Sequence, residues 1–143
     1  MLTRFCLLLL CCGVLAACNR SEDSARSGAK SAADWAKVGE TDGYVYYADH
    51  ASIRKADETV TMSDLFDYKT PRTEGGQAPA LSKTTDRGYD CQNQKSQPLK
   101  TTWFSGQMGA GTVVRSNGDS DQLTPVMPGS ATAALLKIAC ANP

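Results

Sequence analysis

Six cysteines are placed so unevenly along these 143 residues that they leave the folded part of the chain one way to cross-link itself. Cys6, Cys11 and Cys12 lie in an apolar run from Phe5 to Ala17, behind the basic Arg4. A basic start, a short apolar stretch and small residues before a cysteine make the layout of an export signal. The run is too short to span roughly 30 Å of hydrocarbon as a helix. It closes as Leu15-Ala16-Ala17-Cys18, which resembles a bacterial lipobox. The expectation is cleavage before Cys18, with residues 1–17 as signal peptide and a diacylglyceryl group on the Cys18 thiol. Three cysteines then leave with the signal and Cys18 is consumed by lipid. Cys91 and Cys140 remain, and in an oxidising compartment such a pair forms a disulfide. Closing a loop of about 50 residues contributes roughly 4 kcal/mol in the chain-entropy model.

Arg4 is the one charged residue in the signal, so the mature chain carries one more acid than base. Nothing in it has the basic stretch of a nucleic-acid binder. Residues 18–33 hold the lipidated cysteine and then Asn19 to Ala33, with no large apolar side chain. Such a segment cannot bury itself and reads as a flexible tether with a span of roughly 20 Å. A single domain over residues 34–143 follows.

Aromatic and β-branched clusters at Trp35–Val38 and Tyr44–Tyr47 read as strands, with Gly39 and Thr41-Asp42-Gly43 as punctuation. Ser52-Ile53-Arg54 reads as a further short strand. Between Thr59 and Tyr68, Val60, Met62, Phe66 and Tyr68 share a face at period two. Asp64 interrupts that face and Leu65 interrupts the polar one. Pro71 to Ala80 is a loop by composition. Thr84–Lys95 and Leu99–Phe104 follow as strands around a turn at Ser96-Gln97-Pro98, and Thr112–Arg115 is the last strand. Ser130 stands where it caps a helix from Ala131 to Cys140, whose Ala131, Ala134, Leu135 and Ile138 line one face. So short a helix needs a sheet to lie on. The expected fold class is α+β, mostly β: an antiparallel sheet with one C-terminal helix packed on it and a single disulfide.

Candidate chemistry is thin. Asp49, His50 and Ser52 suggest a catalytic triad, but neighbours in sequence at a strand end do not converge as a triad must. One histidine without free cysteines offers no metal site. Gly106-Gln107-Met108-Gly109-Ala110-Gly111 has the glycines of a phosphate loop, but a β-branched strand follows where such loops open a helix. A hairpin or bulge is expected there. No cofactor and no catalytic residue are assigned. The expected partner surface runs from Lys83 to Phe104 and joins Lys83, Arg87, Tyr89, Lys95, Lys100 and Trp103. Basic and aromatic residues of this kind are enriched in binding hot spots.

The order of motifs is distinctive. Val45-Tyr46-Tyr47-Ala48-Asp49 leads to Ser52-Ile53-Arg54, Val60-Thr61-Met62 and Leu65-Phe66-Asp67-Tyr68. Then come Tyr89-Asp90-Cys91, Ser105 to Gly111, Pro125-Val126-Met127-Pro128-Gly129-Ser130 and a helix ending at Cys140. From Trp35 to Cys140 the series resembles the surface-adhesin protein E family of bacterial lipoproteins. The resemblance implies an antiparallel sheet with a C-terminal helix and one disulfide. It also implies outer-membrane display and adhesion to host cells, extracellular-matrix or serum proteins. Asn19 differs from the aspartate that retains lipoproteins in the inner membrane, which favours outer-membrane delivery. The competing reading is a structural or periplasm-facing lipoprotein with no host ligand. Neither the facing nor the oligomeric state is written in the sequence.

Overall fold

The computed structural model describes residues 33–73, 76–118, 120 and 122–141. Cys18, the signal peptide and residues 19–32 of the tether lie outside these residues. Six strands pair in chain order, each antiparallel to the next: β1 (Trp35–Glu40), β2 (Tyr44–Ala56), β3 (Thr59–Arg72), β4 (Ala80–Asp90), β5 (Lys95–Phe104) and β6 (Val113–Asn117). A two-residue strand β7 (Thr124–Pro125) adds to the start of β5, opposite Ser96 and Lys95. Helix α1 (Ala131–Ala141) closes the described chain, and the Ser130 side chain accepts the Ala133 N–H at 3.1 Å as its cap. The mostly-β class, the terminal helix and the single bridge therefore stand as the sequence implied.

Two local expectations are corrected. Ser52-Ile53-Arg54 is no separate strand. It belongs to β2, whose pairing with β3 shifts register between Asp49 and Arg54. Ser52 Oγ fills that irregularity, donating to the Asp49 carbonyl at 2.6 Å and accepting the Ser63 N–H at 2.8 Å. The turn between β4 and β5 is not at Ser96-Gln97-Pro98 but at residues 91–94. There the Asp90 carboxylate accepts the Gln92 and Asn93 N–H groups at 3.1 and 3.0 Å, and Gln94 takes a φ of 51°. Hydrogen bonds from the Asn93 side chain and backbone hold the Asp90 carboxyl below its usual range. Pro98 sits inside β5 because the β4–β5 register slips between Asp86 and Arg87, and a bulge tolerates a residue without an N–H. β7 had no signal at all, since two residues carry no period.

Both interruptions of the alternation in β3 are buried. Asp64 is fully buried on the face of Val60, Met62, Phe66 and Tyr68. Leu65 is fully buried on the opposite face. The core gathers Ala48, Val60, Met62, Phe66, Tyr68 and Tyr89 from β2, β3 and β4 with Leu135 and Ala139 from α1. Removing a leucine side chain from water stabilises by roughly 1.5–3 kcal/mol, which is how an isolated short helix becomes permanent. At the sheet's outer strand β1, Lys37 and Glu40 form an ion pair, and charge on an edge strand discourages pairing with other chains.

The bridge links Cys91, in the β4–β5 turn, to Cys140 in the last turn of α1, with a Cα–Cα distance of 5.8 Å. It ties the helix to the end of the hairpin on which the helix packs. Cys140→Ser is expected to lower unfolding stability by about 2–5 kcal/mol, read as a lower denaturant midpoint than that of the oxidised native chain, and the difference should disappear once the native bridge is reduced. An unchanged midpoint would show that packing alone holds α1.

Candidate functional site

The six side chains of the expected partner surface do sit on neighbouring strands, but they do not share one surface. Across β4 and β5, Lys83 lies opposite Trp103, Asp86 opposite Lys100 and Asp90 opposite Lys95. Strand parity therefore turns Lys83, Arg87, Tyr89 and Trp103 to the helix-bearing face and Lys100 to the other. Tyr89 is fully buried and Trp103 is 9% exposed. Lys100 is exposed, and Lys83 and Lys95 are half-buried.

Arg87 has a structural partner. Its Nε donates to Asp64 Oδ2 at 2.8 Å, with the carboxylate side chain fully buried and the arginine side chain 13% exposed. Burial pushes the Asp64 carboxyl above its usual range, and the Arg87 guanidinium offsets this only in part. Burial is the largest influence on Arg87 and opposes its charge, yet the Asp64 carboxylate and the Tyr89 hydroxyl together outweigh it and hold the guanidinium above its ordinary value. Burial also drives the Tyr89 hydroxyl well up. These three groups form one buried polar cluster on β3 and β4. Sequence reasoning saw Asp64 only as a break in a pattern. The signal that finds it is the carboxylate at an inward position with an arginine available on the next strand.

Aromatic rings and cations line the same face beyond the helix. The Tyr44 and Phe66 centroids are 5.0 Å apart and those of Tyr46 and Phe66 6.0 Å. The Lys83 ammonium stands 4.9 Å over the Phe66 ring, and the Arg115 guanidinium 3.8 Å over Trp103. Partly desolvated stacks of this kind contribute about 0.5–2 kcal/mol each.

The glycine-rich segment folds over the opposite face and covers Leu65. Ser82 Oγ donates to the Gly106 carbonyl at 2.6 Å and accepts the Gly109 N–H at 2.9 Å. Asp67 Oδ1 accepts the Met108 N–H at 2.7 Å. A single 3-10 turn (Gln107–Gly109) results, and Gly111 at φ +81° turns the chain into β6. A Cβ at Gly111 would stand 2.5 Å from Ser105 Oγ, so both conformation and space require glycine there. The turn leaves Met108 41% exposed at its tip, with a left-handed backbone (φ 55°). A strand, β6, follows this turn, as the sequence suggested.

His50 is exposed, while the Asp49 carboxylate accepts the Ala51 N–H at 3.1 Å and the Ser52 hydroxyl is committed to the Asp49 carbonyl. These groups shape the irregularity in β2. Among the described residues no group of three or more histidine, cysteine, aspartate or glutamate side chains is placed to hold a metal ion.

Comparison with known proteins bears on what such an arrangement serves. The family model described as surface-adhesin protein E matches residues 35–141. Among solved structures, crystal form II of Haemophilus influenzae protein E is similar at a TM-score of 0.56 and 17% identity, over 73% of this chain and 92% of that one. The selenomethionine form of Haemophilus influenzae protein E gives a TM-score of 0.54 and 18% identity, over 75% and 93%. At such identities the likeness is one of fold. Among curated protein sequences none matches this chain.

The buried pair generates a direct expectation. Asp64→Ala or Arg87→Ala alone leaves one charge buried without its partner and is expected to cost about 3–5 kcal/mol in urea unfolding. The double variant Asp64→Leu/Arg87→Met should recover most of that loss. Equal costs that simply add would contradict the pairing. The pH dependence follows from the raised Asp64 value. Its contribution to stability is complete below roughly pH 4, where the unfolded carboxyl is also protonated, and is lost as pH rises through the folded value. The stability advantage of the native chain over Asp64→Asn should therefore be larger at about pH 3.5 than at pH 7.

Proposed function

We propose a binding function on one premise: the chain belongs to the surface-adhesin protein E family. In this reading it is an adhesin-like protein of the cell envelope that binds host-cell, extracellular-matrix or serum proteins. Cys18 is the lipidated first residue of the mature chain and fixes it to the outer membrane. Residues 19–33 then hold the domain off the bilayer, which fits their lack of large apolar side chains. Up to three acyl chains at about 0.8 kcal/mol per buried CH₂ make release from the membrane negligible.

The observation that carries the reading is the family match over residues 35–141, nearly the whole of the folded part. The physical picture supports it. Arg87, Tyr89 and Trp103 are spent on the interior, so contact with a partner falls to Lys95 and Lys100 on the opposite face of the sheet and, separately, to Lys83 beside the Phe66 ring. Sheet edges and loops held by a cross-linked scaffold are suited to gripping protein.

Mass spectrometry of the mature chain should find acylated Cys18, and Cys18→Ala should yield an unprocessed or soluble product. Protease shaving of intact cells should release the domain. The purified domain should bind matrix or serum proteins such as laminin or vitronectin, and the triple change of Lys83, Lys95 and Lys100 to alanine should weaken binding about tenfold or more. An unmodified Cys18 contradicts the anchor. Resistance to shaving, together with no binding at about micromolar concentration, favours the periplasm-facing alternative.

A further inference from the structure

Outside the strands discussed so far, the chain builds a small apolar cleft on the outer side of α1. Val126, Pro128, Ala133 and Leu136 supply its walls, and Gln94 and Lys137 stand on its rim. Its volume is about 190 Å³. A cavity of about 150 Å³ lined by apolar side chains holds benzene, so this one has room for one phenyl or branched aliphatic side chain.

The walls are fixed from several directions. The Val126 N–H donates to the Gln94 carbonyl at 2.9 Å, just beyond the pairing of β7 with β5. Ser130 Oγ donates to the Met127 carbonyl at 2.7 Å while capping α1. The Cys91–Cys140 bridge holds the 91–94 turn against the helix. A ligand entering here therefore meets a preformed site and orders little on arrival. Met127, 74% exposed, and Leu123, 40% exposed, extend apolar surface along the same segment.

Charge narrows the occupant. Lys137 is exposed, and α1 (Ala-Thr-Ala-Ala-Leu-Leu-Lys-Ile-Ala-Cys-Ala) contains no acidic residue to pair with it. An apolar hole beside an exposed ammonium suits an apolar side chain followed by a carboxylate. The chain's own tether does not qualify: residues 19–33 have acids but no large apolar side chain to enter the cleft.

We propose that this cleft is a docking site for a partner protein's peptide segment in which an aromatic or branched aliphatic residue is followed by an acidic one. The apolar side chain fills the space over Ala133 and Leu136, and the carboxylate pairs with Lys137. The inference rests on the binding reading above for its class of partner, but the cleft can be tested without cells or a natural partner.

The probe is the blocked dipeptide acetyl-Phe-Asp-amide, titrated into the full mature chain in detergent and followed by backbone amide NMR. Shifts confined to Gln94, Val126 and the Ala133–Lys137 segment are expected, saturating at about millimolar concentration. Acetyl-Phe-Asn-amide and the Lys137→Glu variant should each bind about five- to tenfold more weakly. Ala133→Leu, which fills the cleft, should abolish the shifts while leaving the spectrum of the sheet unchanged. Lack of shifts at these residues up to about 10 mM overturns the proposal. So does equal binding of the Asp and Asn peptides. Binding of decanoate in the cleft with no response to the dipeptide also overturns it, in favour of a small amphiphile. None of these outcomes bears on whether intact cells attach to host protein, so failure here is distinguishable from failure of the adhesin reading.

Discussion

A carboxylate with no exposure to water must have a partner, and much of this fold follows from the one Asp64 has. Arg87 reaches it from the neighbouring strand at 2.8 Å, in the middle of the sheet and on the face that carries the core. Slipping β3 past β4 by one residue would turn Asp64 to the other face and leave the arginine buried alone. Two apolar residues at these places would give as much stability or more, but they would not distinguish one register from the next. The pair thus specifies the alignment, and the apolar residues around it, Val60, Met62, Phe66 and Tyr89, supply the stability.

That division explains what was legible in the sequence. The period-two pattern of β3 and the i, i+3, i+4 pattern of α1 report burial, and burial drives the fold, so both elements were visible. The cysteine pairing was visible because the alternatives were eliminated by position. The turn after β4 was misplaced because Pro98 is a strong local signal, and only the register slip that accommodates it, a long-range property, makes it harmless. Asp64 and Leu65 looked like flaws because each is completed by something distant: Arg87 across the sheet for one, and the 105–111 segment folded over the other face for the second.

The same logic reorders the candidate site. Basic and aromatic residues on two neighbouring strands read as a contact surface because such residues are enriched in binding hot spots. In this fold the arginine, the tyrosine and the tryptophan are structural, and Lys100 is the one exposed member of the set. The apolar cleft beside α1 was invisible to composition, because it is made by a loop, a helix and a cross-link meeting in space.

Native-state hydrogen exchange tests the central claim most directly, that the Asp64–Arg87 pair and its neighbours on β3 and β4 are the most firmly held part of the molecule. The amides of residues 62–66 and 83–89 should exchange only through global unfolding, with those of β1 and β6 opening at lower free energy. Exchange at the β3–β4 centre as fast as at the two outer strands would contradict the account.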